Sequence, residues 1–145
     1  MSVNINLPRI LRVGAGASDH LAPTLEHLGL SRPLLVTDPF MRECGYADRV
    51  VSGLDAAGIA HGVFAECVPD PTTDSVGQGL AALAAGSYDC LVALGGGSSI
   101  DTAKAVAAMA DRDGPMRDYK VPHLIDTGLP VIAIPTTAGT GSEAT

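Results

Sequence analysis

Cys90-Leu91-Val92-Ala93-Leu94-Gly95-Gly96-Gly97-Ser98-Ser99 is the stretch that decides the fold. A short apolar run closed abruptly by glycines reads as a strand buried on both faces, as in the interior of a parallel sheet. The residues after the glycines, to about Ala110, read as a helix. A strand, a glycine loop and a helix in that order form one unit of a layered α/β protein.

Moving outward, the same alternation recurs. Pro33-Leu34-Leu35-Val36-Thr37, closed by Asp38-Pro39, is a second buried strand, residues 61–67 a third and residues 131–134 a last one. Ile10, Leu11 and Val13 predict an initial strand that ends in the turn Gly14-Ala15-Gly16. Helices are predicted over residues 18–28, 50–57 and 76–84, with Ser18 as the first N-cap and Gly29, Gly58 and Gly86 as stops. Pro23 falls in the early turns of the first helix, where it is tolerable. Residues 111–128, broken by Gly114, Pro115 and Pro122, read as a surface excursion. Strands separated by single helices imply parallel pairing with right-handed crossovers. The expected architecture is therefore an α/β, Rossmann-like open parallel sheet with helices on both faces. Ligands of such sheets bind beyond the carboxyl ends of the strands. Asp38, the Gly95 loop and the Thr136 loop all lie at such ends.

Composition narrows the class. A chain of 145 residues, 46% hydrophobic and 17% charged, is the size of one domain and can bury one core. Aromatics make up 3% and Trp is absent, so Ala, Val, Leu and Ile must fill the layers. A net charge of -7 argues against nucleic acid or an anionic membrane as partner. No apolar run approaches the roughly 20 residues of a membrane helix, and the N-terminus lacks the basic start and apolar core of a signal peptide. A cytoplasmic location is expected. Cys44, Cys67 and Cys90 are far apart and odd in number, so they read as reduced and mostly buried thiols. The histidines, His20, His27, His61 and His123, include no pair at close ligand spacing. His20 and His27 can share a helix face, but solvated or capping roles suit them better. No metal site is read here.

The Gly95–Ser99 segment can hold a phosphate without a basic residue. Residues lacking Cβ let an anion reach the backbone, and the next helix offers unpaired N–H groups and its positive dipole end. The alternative is a tight strand-to-helix turn and nothing more. Lys104 is no Walker lysine, because the G-x-x-x-x-G-K-[ST] spacing is missing; an exposed or helix-supporting role suits it at least as well as ligand contact. Asp101 can bond a ligand near the helix entrance or complete an S-x-x-D capping box with Ser98, and local spacing favours the cap. Asp38 can accept both hydroxyls of an adenosine ribose and repel a 2′-phosphate, which selects NAD over NADP, or it can simply form a turn before Pro39. Gly14-Ala15-Gly16 is read as a turn, since Asp19 occupies the third small-residue position of a dinucleotide fingerprint. The segment from Thr136 to Glu143 supplies uncharged donors just past a strand. Its place beside the first glycine loop favours a binding role over a plain loop.

Two long motifs in order, Gly95-Gly96-Gly97-Ser98-Ser99-Ile100-Asp101-Thr102-Ala103-Lys104 and Pro135-Thr136-Thr137-Ala138-Gly139-Thr140-Gly141-Ser142-Glu143, resemble the paired signature of iron-containing (group III) alcohol dehydrogenases. Leu35-Val36-Thr37-Asp38 and Val68-Pro69-Asp70-Pro71-Thr72 also resemble that family's cofactor segments, with Asp70 where many members have Asn. The resemblance implies a dehydroquinate synthase-like N-terminal domain, with the threonine-rich loop closer to the alcohol dehydrogenases than to the dehydroquinate synthases. By that resemblance Asp38 meets the adenosine ribose, Asp70 lies by the cofactor, and Gly96, Gly97, Ser98 and Ser99 hold the pyrophosphate. Thr136, Thr137 and Thr140 follow towards the nicotinamide, and Asp101 matches a position near the cofactor's reactive half.

The implied activity is NAD-dependent interconversion of an alcohol and an aldehyde or ketone, with NADP disfavoured. Residues 1–145 are expected to be the dinucleotide-binding domain. In the family, Fe2+ or Zn2+ is held by an Asp and three His of a helical second domain, which lies outside this chain, so the chain alone is expected to be inactive. A homo-oligomer is implied by resemblance, and apolar surface left where that domain docks predicts self-association. The competing reading is a non-catalytic nucleotide-binding or interaction module.

Overall fold

A computed structural model of the chain describes residues 8–119 and 127–144. Strands β1 (Pro33–Val36), β2 (Gly62–Phe64), β3 (Cys90–Gly95) and β4 (Val131–Pro135) form one sheet in the order β2-β1-β3-β4. Every pairing is parallel, with Leu35 opposite Val92 and Val92 opposite Ile132 at the centre. The helices are α1 (Leu21–Leu28), α2 (Pro39–Glu43), α3 (Tyr46–Ala56), α4 (Thr73–Ala84) and α5 (Gly97–Met109).

Alternation along the strands sorts the core into two layers. Leu34, Val36, Leu91 and Ala93 point to one face, where α4 and α5 cover them with Val76, Leu83, Ile100 and Val106. Leu35, Cys90, Val92 and Leu94 point to the other, under Leu21 and Leu25 of α1 and Val50 and Leu54 of α3. β3 is buried along its whole length, as its unbroken apolar run predicts. Each large side chain so buried contributes on the order of 1.5–3 kcal/mol of transfer free energy. The chain moves from β1 to β2 through α3 on one face, then reverses direction through α4 and α5 on the other. A constant right-handed crossover demands that change of face. The reversal opens a crevice at the carboxyl ends of β1 and β3, the place where ligands of such sheets bind.

Three sequence expectations need correction. Residues 10–13 form no strand: Leu11 and Val13 are exposed, and among the described residues no strand lies beside them to complete a ladder. Ser18 caps nothing, because the chain enters α1 through a 3-10 turn, Ala17–His20, that starts from a left-handed Gly16. Pro23 sits in the first turn of α1, where it is tolerated. The third predicted strand shrinks to Gly62–Phe64, although Cys67 N still donates to Thr37 O at 3.1 Å. The excursion contains one 3-10 turn, Met116–Tyr119, while residues 120–126, with Pro122 and His123, lie outside the described residues. Arg112 holds the far side of that excursion, donating to Thr127 O at 2.9 Å. Among the described residues no helix is long and apolar enough to cross a membrane.

Candidate functional site

Asp38 follows β1 with only Thr37 between them and caps α2, a short helix absent from the sequence expectation, which had only a turn there. Pro39 at the helix start suits the fixed proline φ. The Asp38 carboxylate accepts from Met41 N at 3.0 Å through Oδ1 and from the Ser99 hydroxyl at 3.0 Å through Oδ2. Each oxygen retains a further lone pair for a ligand. At the same end of the sheet the buried Thr37 hydroxyl donates to Leu94 O at 2.8 Å, tying β1 to β3.

The glycine loop packs against two neighbours. Gly95 has φ +145, and a Cβ there would stand 2.6 Å from Ser99 Oγ and 2.9 Å from Asp38 Oδ2. Only glycine fits that position. A Cβ on Gly97 would stand 3.0 Å from Thr140 Oγ1 and 3.2 Å from Ser142 Oγ, so the threonine loop lies close over the first turn of α5. Gly96 is roomier, with Thr137 Oγ1 3.4 Å from its would-be Cβ. Gly96 is the N-cap of α5 and brings no side-chain cap, which leaves the backbone N–H groups of that turn for a ligand. The expected capping box of Ser98 and Asp101 does not form, since α5 begins one residue before Ser98; the box that forms is Thr72 with Ser75, at the start of α4.

The threonine loop is anchored at both ends. Thr136 N donates to Gly95 O at 2.9 Å, and Thr140 Oγ1 and Ser142 Oγ share a 3.0 Å hydrogen bond. Lys104 donates from Nζ to Ser142 O, so its place in the motif is explained by bracing this loop.

A cleft of about 560 Å³ opens between these segments. Asp38, Gly96, Thr136 and Thr137 line it, four of the ten residues singled out in the sequence. Gly97 and Thr140 adjoin it through their mutual contact. Ser99 is buried and faces Asp38, while Ser98 accepts from the Thr102 hydroxyl through its carbonyl. Asp70 and Asp101 are exposed and do not line the cleft; Asp70 takes φ 52, a left-handed conformation that Asn and Asp tolerate best among residues with a side chain. Phe40, Met41 and Tyr46 complete the lining. Their only sequence signal was position, just downstream of Asp38. A smaller crevice, about 240 Å³, lies against α1 and α3; its charged groups, Asp19 and Arg49, pair with each other.

Among the described residues no group of three or more His, Cys, Asp or Glu could hold a metal ion. Burial pushes the Cys67 thiol up to about 11, helped by the Asp38 charge, and Cys90 up to about 12. Both therefore remain thiols near neutrality, and neither is an activated nucleophile. Cys44 is exposed and free.

Residues 8–145 match the family model described as iron-containing alcohol dehydrogenase. The chain belongs to that family. It is 39% identical over 150 residues to long-chain-alcohol dehydrogenase 1 of Geobacillus thermodenitrificans, covering 100% of this chain and 38% of that protein. It is 36% identical over 143 residues to the NAD-dependent methanol dehydrogenase of Bacillus methanolicus, covering 98% of this chain and 38% of the relative. Among solved structures, sulfoacetaldehyde reductase from Bifidobacterium kashiwanohense in complex with NAD+ matches with a TM-score of 0.89 at 33% identity, over 100% of this chain and 39% of that one. The chain thus spans little more than a third of the length of these relatives, and within it the family's expected α/β sheet is present.

Proposed function

We propose that this chain forms the NAD-holding part of a dehydrogenase that interconverts an alcohol and an aldehyde or ketone. The observation that carries the reading is the uncapped glycine turn at the start of α5, open to the cleft beside the Asp38 carboxylate. That turn fits a pyrophosphate, because backbone N–H groups and the helix dipole supply the attraction that a chain of net charge -7 lacks in side chains.

In this reading the N–H groups of the Gly97–Ser99 turn hold the phosphates, with Gly96 leaving room for their approach. The lone pairs of Asp38 that the protein leaves unused accept the ribose hydroxyls, and the carboxylate repels a 2′-phosphate, so NAD is favoured over NADP. The exposed hydroxyls of Thr136, Thr137 and Thr140 serve the cofactor's nicotinamide half. Asp70 and Asp101, outside the cleft, reach the cofactor only from its rim. When bound, the nicotinamide supplies the hydride acceptor or donor. The described residues do not fit a metal, so no step through one is assigned to them. Residues 1–145 are proposed as the dinucleotide-binding domain, with the family's metal ligands to be sought outside them, and as part of a homo-oligomer.

Calorimetric titration with NAD and NADP tests the reading. Saturable NAD binding, tighter than that of NADP, supports it. Absence of binding by either overturns it. Binding of NAD without metal-dependent turnover in a chain extended to the full family length favours a non-catalytic module.

A further inference from the structure

Aromatic residues are scarce in this chain, with Phe 2, Tyr 3 and no Trp. Phe64 is in the core, Tyr88 is wedged against Gly62 and Gly86, and the Tyr119 hydroxyl donates to Asp113 O at 2.7 Å. The remaining two, Phe40 and Tyr46, are 62% and 54% exposed, and both line the cleft that holds Asp38 and Gly96. Among the described residues neither ring makes a hydrogen bond or a ring contact. Phe40 lies two residues beyond Asp38 on the helix that Asp38 caps, so its backbone is fixed relative to that carboxylate. Tyr46 opens α3, immediately after α2, and the buried Met41 lines the cleft with them.

We propose that Phe40 and Tyr46 form the platform on which the cofactor's adenine ring stacks. This rests on the cofactor reading above. With the ribose at Asp38 and the phosphates at α5, the base is the group that remains on the adenosine half, and it must leave the ribose into the rest of the cleft. A purine is flat and uncharged, so it needs a π-face and not a counter-ion, and these two rings are what the cleft offers beyond its polar groups. Base–aromatic stacking of this kind is worth enough to change affinity by roughly 5- to 150-fold per base. The adenosine half is then the anchor of the cofactor, and the nicotinamide half adds little to affinity.

The test is calorimetry with NAD, ADP-ribose and nicotinamide mononucleotide on the parent protein and on Phe40→Ala, Phe40→Leu, Tyr46→Ala, Tyr46→Phe and the double alanine variant. The inference expects the double variant to bind NAD and ADP-ribose at least about 10-fold more weakly, with nicotinamide mononucleotide unaffected. Tyr46→Phe retains the parent affinity, and Phe40→Leu falls between parent and alanine because it keeps bulk without the ring face. Unaltered melting temperature in Phe40→Leu and Tyr46→Phe separates stacking from misfolding. If the parent binds NAD and the double variant binds it equally well, or if mononucleotide binding falls in parallel, the platform is refuted while the cofactor reading stands. If the parent binds neither NAD nor ADP-ribose, both fall.

Discussion

The Ser99 hydroxyl donates a 3.0 Å hydrogen bond to Asp38 Oδ2, joining residues 61 positions apart across the carboxyl ends of β1 and β3. Ser99 is buried, and the bond crosses the crevice where the chain reverses direction. Orientation of the carboxylate therefore depends on the glycine loop next to it. Ser99→Ala is expected to lower stability by about 1–2 kcal/mol and to narrow the preference for NAD over NADP, because Asp38 keeps only the Met41 N–H. Urea denaturation and paired titrations read the two effects; an unchanged cofactor preference would show that Asp38 is positioned without Ser99.

The three glycines of the loop are not equivalent. Gly95→Ala meets Ser99 Oγ and Asp38 Oδ2 in a backbone conformation that L-residues avoid, so it should cost several kcal/mol, on the order of 2–4. Gly97→Val meets Thr140 and Ser142 and should loosen the threonine loop as well as the turn. Gly96→Ala meets only an exposed Thr137 that can turn away, so it should leave the melting temperature nearly unchanged and weaken NAD binding. Equal losses of stability in the Gly95 and Gly96 alanine variants, followed by thermal unfolding, would contradict this ordering.

Gly79 lets α4 close on α5: a Cβ there would stand 2.7 Å from Val106 Cγ2, and Val106 is fully buried. Helix propensity favours alanine over glycine by about 1 kcal/mol, yet overpacking costs about 1–3 kcal/mol, so the clash wins. Gly79→Ala should destabilise, and Val106→Ala should cost less in its presence than in the parent. Additive losses in the double-mutant cycle would show that the helices do not meet here.

Asp89 braces the opposite end of the sheet. It accepts from Ser31 N at 2.7 Å, from the Ser31 hydroxyl at 2.8 Å and from Arg32 N at 3.0 Å. Burial pushes its carboxyl up, but the bonds from Arg32, Ser31 and the Cys90 thiol outweigh this and hold it below its ordinary value. A depressed folded pKa means that the stabilisation is complete above the unfolded pKa, about 3.9, and is lost as pH falls through the folded value. Asp89→Asn should therefore remove part of the acid limb of the stability profile while lowering stability at neutral pH. An acid limb of unaltered steepness in urea titrations across that range would assign it to other carboxylates.

Local pattern carried the layers. The unbroken apolar runs at Leu34–Val36 and Leu91–Leu94, short and closed by Asp-Pro and by glycines, read as strands buried on both faces, because an exposed face would interrupt them with polar residues. The expected strand at Ile10–Val13 failed for the complementary reason: a strand needs a ladder partner, and none of the described residues supplies one. Helix α2 was hidden because its N-cap signal, Asp38-Pro39, is also a turn signal, and five residues give no periodicity to decide between them.

The chain's own order of residues determined an α/β sheet, a glycine turn at the head of a helix and the family to which both belong, since each is written in neighbours a few positions apart. Which of those motifs meet was decided only by the tertiary structure. Ser99 faces Asp38, Thr140 covers Gly97, and Phe40 and Tyr46 share a cleft with Gly96, while Asp70 and Asp101 stay outside it. The physical reason is that a crossover places residues dozens of positions apart at one end of a sheet, and the side chains found there are set by strand order and register, which no local spacing encodes.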